Sequence, residues 1–108
     1  GFLADRGAWR LSPAFDVNPS PDPLRSRSTS IMGADTILDE IEGLLALAED
    51  CGLTVRAARR RMSDIAASLA HWRERARSNR IPEREIAMMA ESIGPRLEAV
   101  ARAGRGAV

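Results

Sequence analysis

The sequence predicts a mainly α domain, three to four packed helices preceded by a small N-terminal β-hairpin. Three observations predict it. Aromatics are only 4% of the 108 residues, namely Phe2, Trp9, Phe15 and Trp72. The core must therefore be aliphatic and Ala-rich, which suits close-packed helices better than a β-sandwich. The run from Val55 to about Ser78 holds no Pro or Gly and carries apolar residues at spacings of three and four. Two short apolar runs flank Asp5-Arg6-Gly7 at the N-terminus. The length fits one partial domain in four stretches: 1–19, the hairpin and a following Asp segment; 20–34, a Pro/Ser/Arg-rich loop; 35–102, the helices; and 103–108, a disordered tail.

Phe2-Leu3-Ala4 and Ala8-Trp9-Arg10-Leu11 read as the paired strands, because Gly7 takes a left-handed conformation without steric cost. A lone hairpin is marginal in water and calls for a covering surface. Pro13, Pro19, Pro21 and Pro23 then forbid regular pairing. The first helix is expected near Thr36, capped by Asp35 or Thr36, with Ile37, Leu38, Ile41, Leu44, Leu45 and Ala48 on its apolar face. Gly52 stops it, and Gly43 inside it suggests a close helix crossing. Thr54 caps the second helix, whose Val55, Ala58, Met62, Ile65, Leu69, Trp72 and Ala76 form a heptad seam. Burial of Ile65, Leu69 and Trp72 there is expected to contribute about 1.5–3 kcal/mol each. Pro82 opens the last helical stretch, with Ile86, Met89, Ile93, Leu97 and Val100 as its stripe. Gly94-Pro95 predicts a kink or two consecutive helices.

Net charge is +1, so no global field draws the chain to nucleic acid. No stretch approaches the ~18 apolar residues of a membrane span. No signal peptide is visible, and a cytoplasmic location is the expectation. The single Cys51 forms no internal disulfide and offers no metal spacing; it reads as an inert buried thiol. Charge is nonetheless uneven. Six acids and no bases lie between Asp35 and Asp50, whereas eight Arg face two acids between Cys51 and Arg80. One reading is two neighbouring helices that attract each other. The other is an anion- or partner-binding face of Arg56, Arg59, Arg60, Arg61, Arg73, Arg77 and Arg80. No aromatics interleave with these arginines, which argues against single-strand stacking and direct nucleic-acid binding. His71 reads as a solvent-facing or half-buried helical residue, Met88 and Met89 as core fillers, and Ser26, Ser28, Thr29 and Ser30 as a loop open to phosphorylation.

Chemistry concentrates in Trp9-Arg10-Leu11-Ser12-Pro13-Ala14-Phe15-Asp16-Val17-Asn18-Pro19. A strand ends, a Pro turns the chain and an aromatic precedes Asp16. A carboxylate at such a junction can reach a hard cation, and magnesium takes one or two of them with phosphate oxygens. An Asp before Asn-Pro is also a common turn former that bonds its own backbone. Together with Gly1-Phe2-Leu3 and Gly7-Ala8, this phrase resembles the C-terminal part of the HipA family, the Ser/Thr toxin kinases of bacterial toxin–antitoxin systems. Leu44-Ala48-Glu49, Gly52-Leu53, Trp72 and Ile86-Met89 resemble it in order and spacing, so the likeness spans about residues 1–95.

The resemblance implies a place at the C-lobe end of a protein-kinase-like fold, with Asp16 on the family's metal-binding Asp. Mg and ATP serve the full-length family. The family's catalytic loop, of the type Asn-x-Asp-x-His-x-x-Asn, would end just before Gly1. This chain holds no such loop, no phosphate-cradling glycines and no Lys at all. Phosphoryl transfer needs these parts together. The expectation is therefore a piece of a longer kinase, with no catalytic residue and no cofactor of its own. It would supply one metal carboxylate and helical support. Its partners would be the N-terminal kinase portion or an antitoxin-like DNA-binding protein, and a homodimer would cover apolar surface left open. The alternative is a truncated relative acting as a helical protein-interaction module.

Overall fold

A computed structural model describes residues 2–13, 30–34 and 39–106. These residues are mainly helical, with a two-stranded antiparallel sheet at the N-terminus. Strand β1 (Phe2–Asp5) pairs with β2 (Ala8–Leu11), Phe2 opposite Leu11 and Ala4 opposite Trp9. Arg6 (φ 48°) and Gly7 (φ 81°) make a two-residue turn, one residue shorter than the three-residue Asp5-Arg6-Gly7 connection the sequence suggests, because Asp5 pairs with Ala8. Left-handed conformations at both positions match the twist of paired strands.

Helix α1 (Glu40–Asp50) begins later than expected, after Asp39 in a turn. The caps proposed at Asp35 and Thr36, and the face residues Ile37 and Leu38, lie outside the described residues. Ile41, Leu44 and Leu45 are half-buried and Ala48 is buried, as the periodicity requires. The helix closes on Gly52 (φ 72°): its amide donates to Glu49 O at 2.9 Å, and Leu53 N donates to Ala48 O at 2.8 Å. That pair of bonds is a Schellman stop and satisfies two orphan carbonyls.

Gly43 does mark a close approach, but not a helix crossing. A β-carbon there would strike the carbonyl oxygen of Ile31 and the methyl of Ala34. Ile31 and Ala34 exchange backbone hydrogen bonds of 2.7 and 2.9 Å around Met32-Gly33, and this tight turn seats on α1.

The long second helix is two helices. Helix α2 (Val55–Leu69) is capped by Thr54, whose Oγ1 accepts from Ala57 N at 3.1 Å. It ends at Ala70, and α3 (Trp72–Ser78) restarts after His71 (φ −103°, ψ 28°). No Pro or Gly stands there. The packed stripe on α2 is Ala58, Met62 and Ala66, all buried, a spacing of four rather than an alternating heptad. Val55 and Ile65 are each 55% exposed and Leu69 49%, and Trp72 is half-buried. The expected burial of Ile65 and Leu69 therefore does not hold. Ile65 and Leu69 are largely exposed, so little burial along this part of the seam holds the helix straight through Ala70.

Helix α3 ends in the same kind of stop as α1. Arg80 N donates to Arg77 O at 2.9 Å and Ile81 N to Ala76 O at 3.0 Å, with Arg80 left-handed (φ 61°). Pro82 stands at the N-cap position of α4 (Glu83–Gly104) with an extended ψ of 143°, one residue before the first helical position the sequence suggests for it. Helix α4 is one element through Gly94-Pro95 rather than two. Ile86 is 3% exposed, and Met89, Ile93, Leu97 and Val100 are half-buried, so the predicted stripe faces the core. Helix also replaces the expected disordered tail at Ala103 and Gly104. Ala103 is 2% exposed and its carbonyl accepts a 2.8 Å bond from Arg59 Nη1. The packing of α4 along α2 thus extends to its last turn.

Candidate functional site

Asp16, the residue expected to hold metal, lies outside the described residues, as do most of the loop Ser and Thr residues. Among the described residues no group of three or more His, Cys, Asp or Glu is placed to hold a metal ion.

The hairpin that leads into the Asp16 segment exposes its apolar side chains. Phe2 is 68%, Trp9 73% and Leu11 75% exposed. Cross-strand partners share a face, so Phe2, Ala4, Trp9 and Leu11 lie on one side of the ribbon.

The predicted arginine face divides. Arg56, Arg59 and Arg60 sit on the first two turns of α2 and line one groove. Arg61 does not line it. Arg73, Arg77 and Arg80 follow the break at Ala70-His71 and act separately. The Arg73 guanidinium lies 5.1 Å from the centroid of the Trp72 ring. Arg77 Nε donates to Glu83 Oε1 at 2.6 Å and links α3 to α4. That hydrogen bond, reinforced by charge, raises the Arg77 pKa, and it holds the Glu83 carboxyl below its ordinary value. Arg80 serves as the left-handed residue of the α3 stop.

The structure adds a member that sequence proximity hid. Arg105, just beyond α4, lines the same groove as Arg56, Arg59 and Arg60, alongside Gly104 and Gly106. The groove is open, with a volume of about 460 Å³, and none of the described residues that line it is acidic. Arg59 is tied to Ala103 O, whereas Arg56, Arg60 and Arg105 have no ion-pair partner among the described residues. An ion pair links α1 to α4, Glu40 Oε2 lying 3.6 Å from Arg96 Nε. Arg96 also donates to Ser92 Oγ at 2.7 Å. The available signal for Arg105 was a long final helix with Arg102 and Arg105 at its end, which the Gly-rich composition obscured.

His71 is solvent-facing, its side chain 87% exposed and Nδ1 3.9 Å from Glu74 Oε2. Cys51 is exposed at the end of α1, not buried, because the Schellman turn carries it past the packed face. Met88 is 49% exposed, so only Met89 of the two methionines serves the core. No helix of the described residues is long and apolar enough to cross a membrane. Comparison with protein-family models, curated proteins and solved structures gives no match.

Proposed function

We propose that the chain is the C-terminal part of a HipA-like Ser/Thr protein kinase, contributing Asp16 as a magnesium carboxylate and a helical C-lobe scaffold, and inactive by itself. One observation supports this reading most. Strand β2 delivers Trp9, Arg10 and Leu11 from a paired ribbon directly into Ser12-Pro13. That strand-to-loop junction is where the resembled phrase carries its metal-binding Asp. Sequencing the coding region upstream of Gly1 tests the reading. An in-frame loop of the type Asn-x-Asp-x-His-x-x-Asn close to Gly1 is the expected result. An unrelated sequence there would remove it.

The exposed apolar face of the hairpin favours a second reading, a helical interaction module that binds an antitoxin-like protein or an N-terminal kinase half. Replacing Trp9 and Leu11 by Ser should then abolish complex formation and leave the helices folded. Unchanged complex formation would count against it.

A further inference from the structure

Four arginines line the groove between the start of α2 and the turn after α4. Arg56 and Arg60 stand four apart on one helix and Arg59 stands between them, so their charges lie on one face and repel. Arg105 arrives from the other side of the groove. Among the described residues no acid lines the groove to relieve this repulsion. Arg59 is held in place by its bond to Ala103 O, which fixes one wall. Guanidinium forks match phosphate oxygens in pairs, and a concave cluster of them suits a compact, multiply charged anion.

We propose that this groove is a binding site for a phosphate group carried by a small molecule, with Arg56, Arg60 and Arg105 as its direct ligands and Arg59 as the anchored wall. The proposal stands independently of the kinase reading, since it uses neither Asp16 nor the hairpin. A nucleic-acid backbone fits less well. Among the described residues no aromatic lines the groove for bases to stack on, the chain carries a net charge of only +1, and Arg73, Arg77 and Arg80 on and after α3 do not line it.

The test is calorimetric titration of the full chain with pyrophosphate at low salt. Saturable one-to-one binding is expected. Arg60→Gln and Arg105→Gln should each weaken it by about tenfold or more. Arg84→Gln, an exposed charge at the start of α4, should leave it within about twofold. Circular dichroism of each variant should match the parent, since all three side chains are exposed. Three results would overturn the proposal: no saturable binding, an equal loss with Arg84→Gln, or tighter binding of a duplex oligonucleotide than of pyrophosphate.

Discussion

Gly104 on α4 lies against Ser63 on α2 so closely that a β-carbon on Gly104 would stand 2.7 Å from the Ser63 backbone nitrogen. The close crossing in this molecule is here, 61 positions from the Gly43 where the sequence suggests one. Alanine in place of glycine usually favours a helix by about 1 kcal/mol. At Gly104 the contact with main chain cannot relax by a side-chain rotation, and overpacking costs about 1–3 kcal/mol. Gly104→Ala is therefore expected to lower the denaturation midpoint. Urea unfolding checks this, and a higher midpoint would mean that α2 and α4 do not approach as described.

Arg80 closes α3 with φ of 61°, a conformation that costs a residue with a side chain about 1–2 kcal/mol. Glycine adopts it freely. Arg80→Gly should raise stability by about 1 kcal/mol after its own entropy cost. Thermal unfolding would register a higher midpoint.

Met62 and Ile65 share the heptad seam of the sequence but not the fate of being buried. Met62 is 7% exposed and Ile65 is 55% exposed. Met62→Ala should cost about 2–5 kcal/mol. Ile65→Ala should cost less than about 1 kcal/mol, because most of its surface is already in water. Equal losses in denaturant unfolding would restore the heptad reading.

The Arg77–Glu83 bond gives the α3–α4 joint a pH dependence. Glu83 titrates lower when folded than when unfolded, because Arg77 donates to its carboxylate. Its contribution is therefore fully present above the unfolded glutamate value and is lost as pH falls through the lowered folded value. Both side chains are exposed, so salt should screen the effect. Carboxyl NMR titration should show Glu83 moving up towards its ordinary value in Arg77→Gln.

Much of this architecture is legible in local chemistry. The Arg6-Gly7 turn, the Thr54 cap, the Gly52 stop and the Ile86–Val100 stripe each follow from neighbours within a few positions. What escaped is set by distant parts of the chain. The break at Ala70-His71 carries no Pro or Gly and falls where Ile65 and Leu69 of the seam are left largely exposed. The true contact of Gly43 is a turn twelve residues upstream at Ile31. The arginines were visible as a charge run, but their division into a groove and an α3 group depended on that break. Arg105 joins Arg60 across 45 positions, a distance at which periodicity carries no information.

The kinase reading is tested most directly by phosphoryl transfer from Mg-ATP. The assay compares this chain with the longer polypeptide encoded when the upstream reading frame is included. The account predicts no transfer by the 108-residue chain, transfer by the longer polypeptide, and its loss on Asp16→Ala. Saturable Mg-ATP binding by the short chain that Asp16→Ala abolishes, or a longer polypeptide indifferent to that substitution, would contradict it.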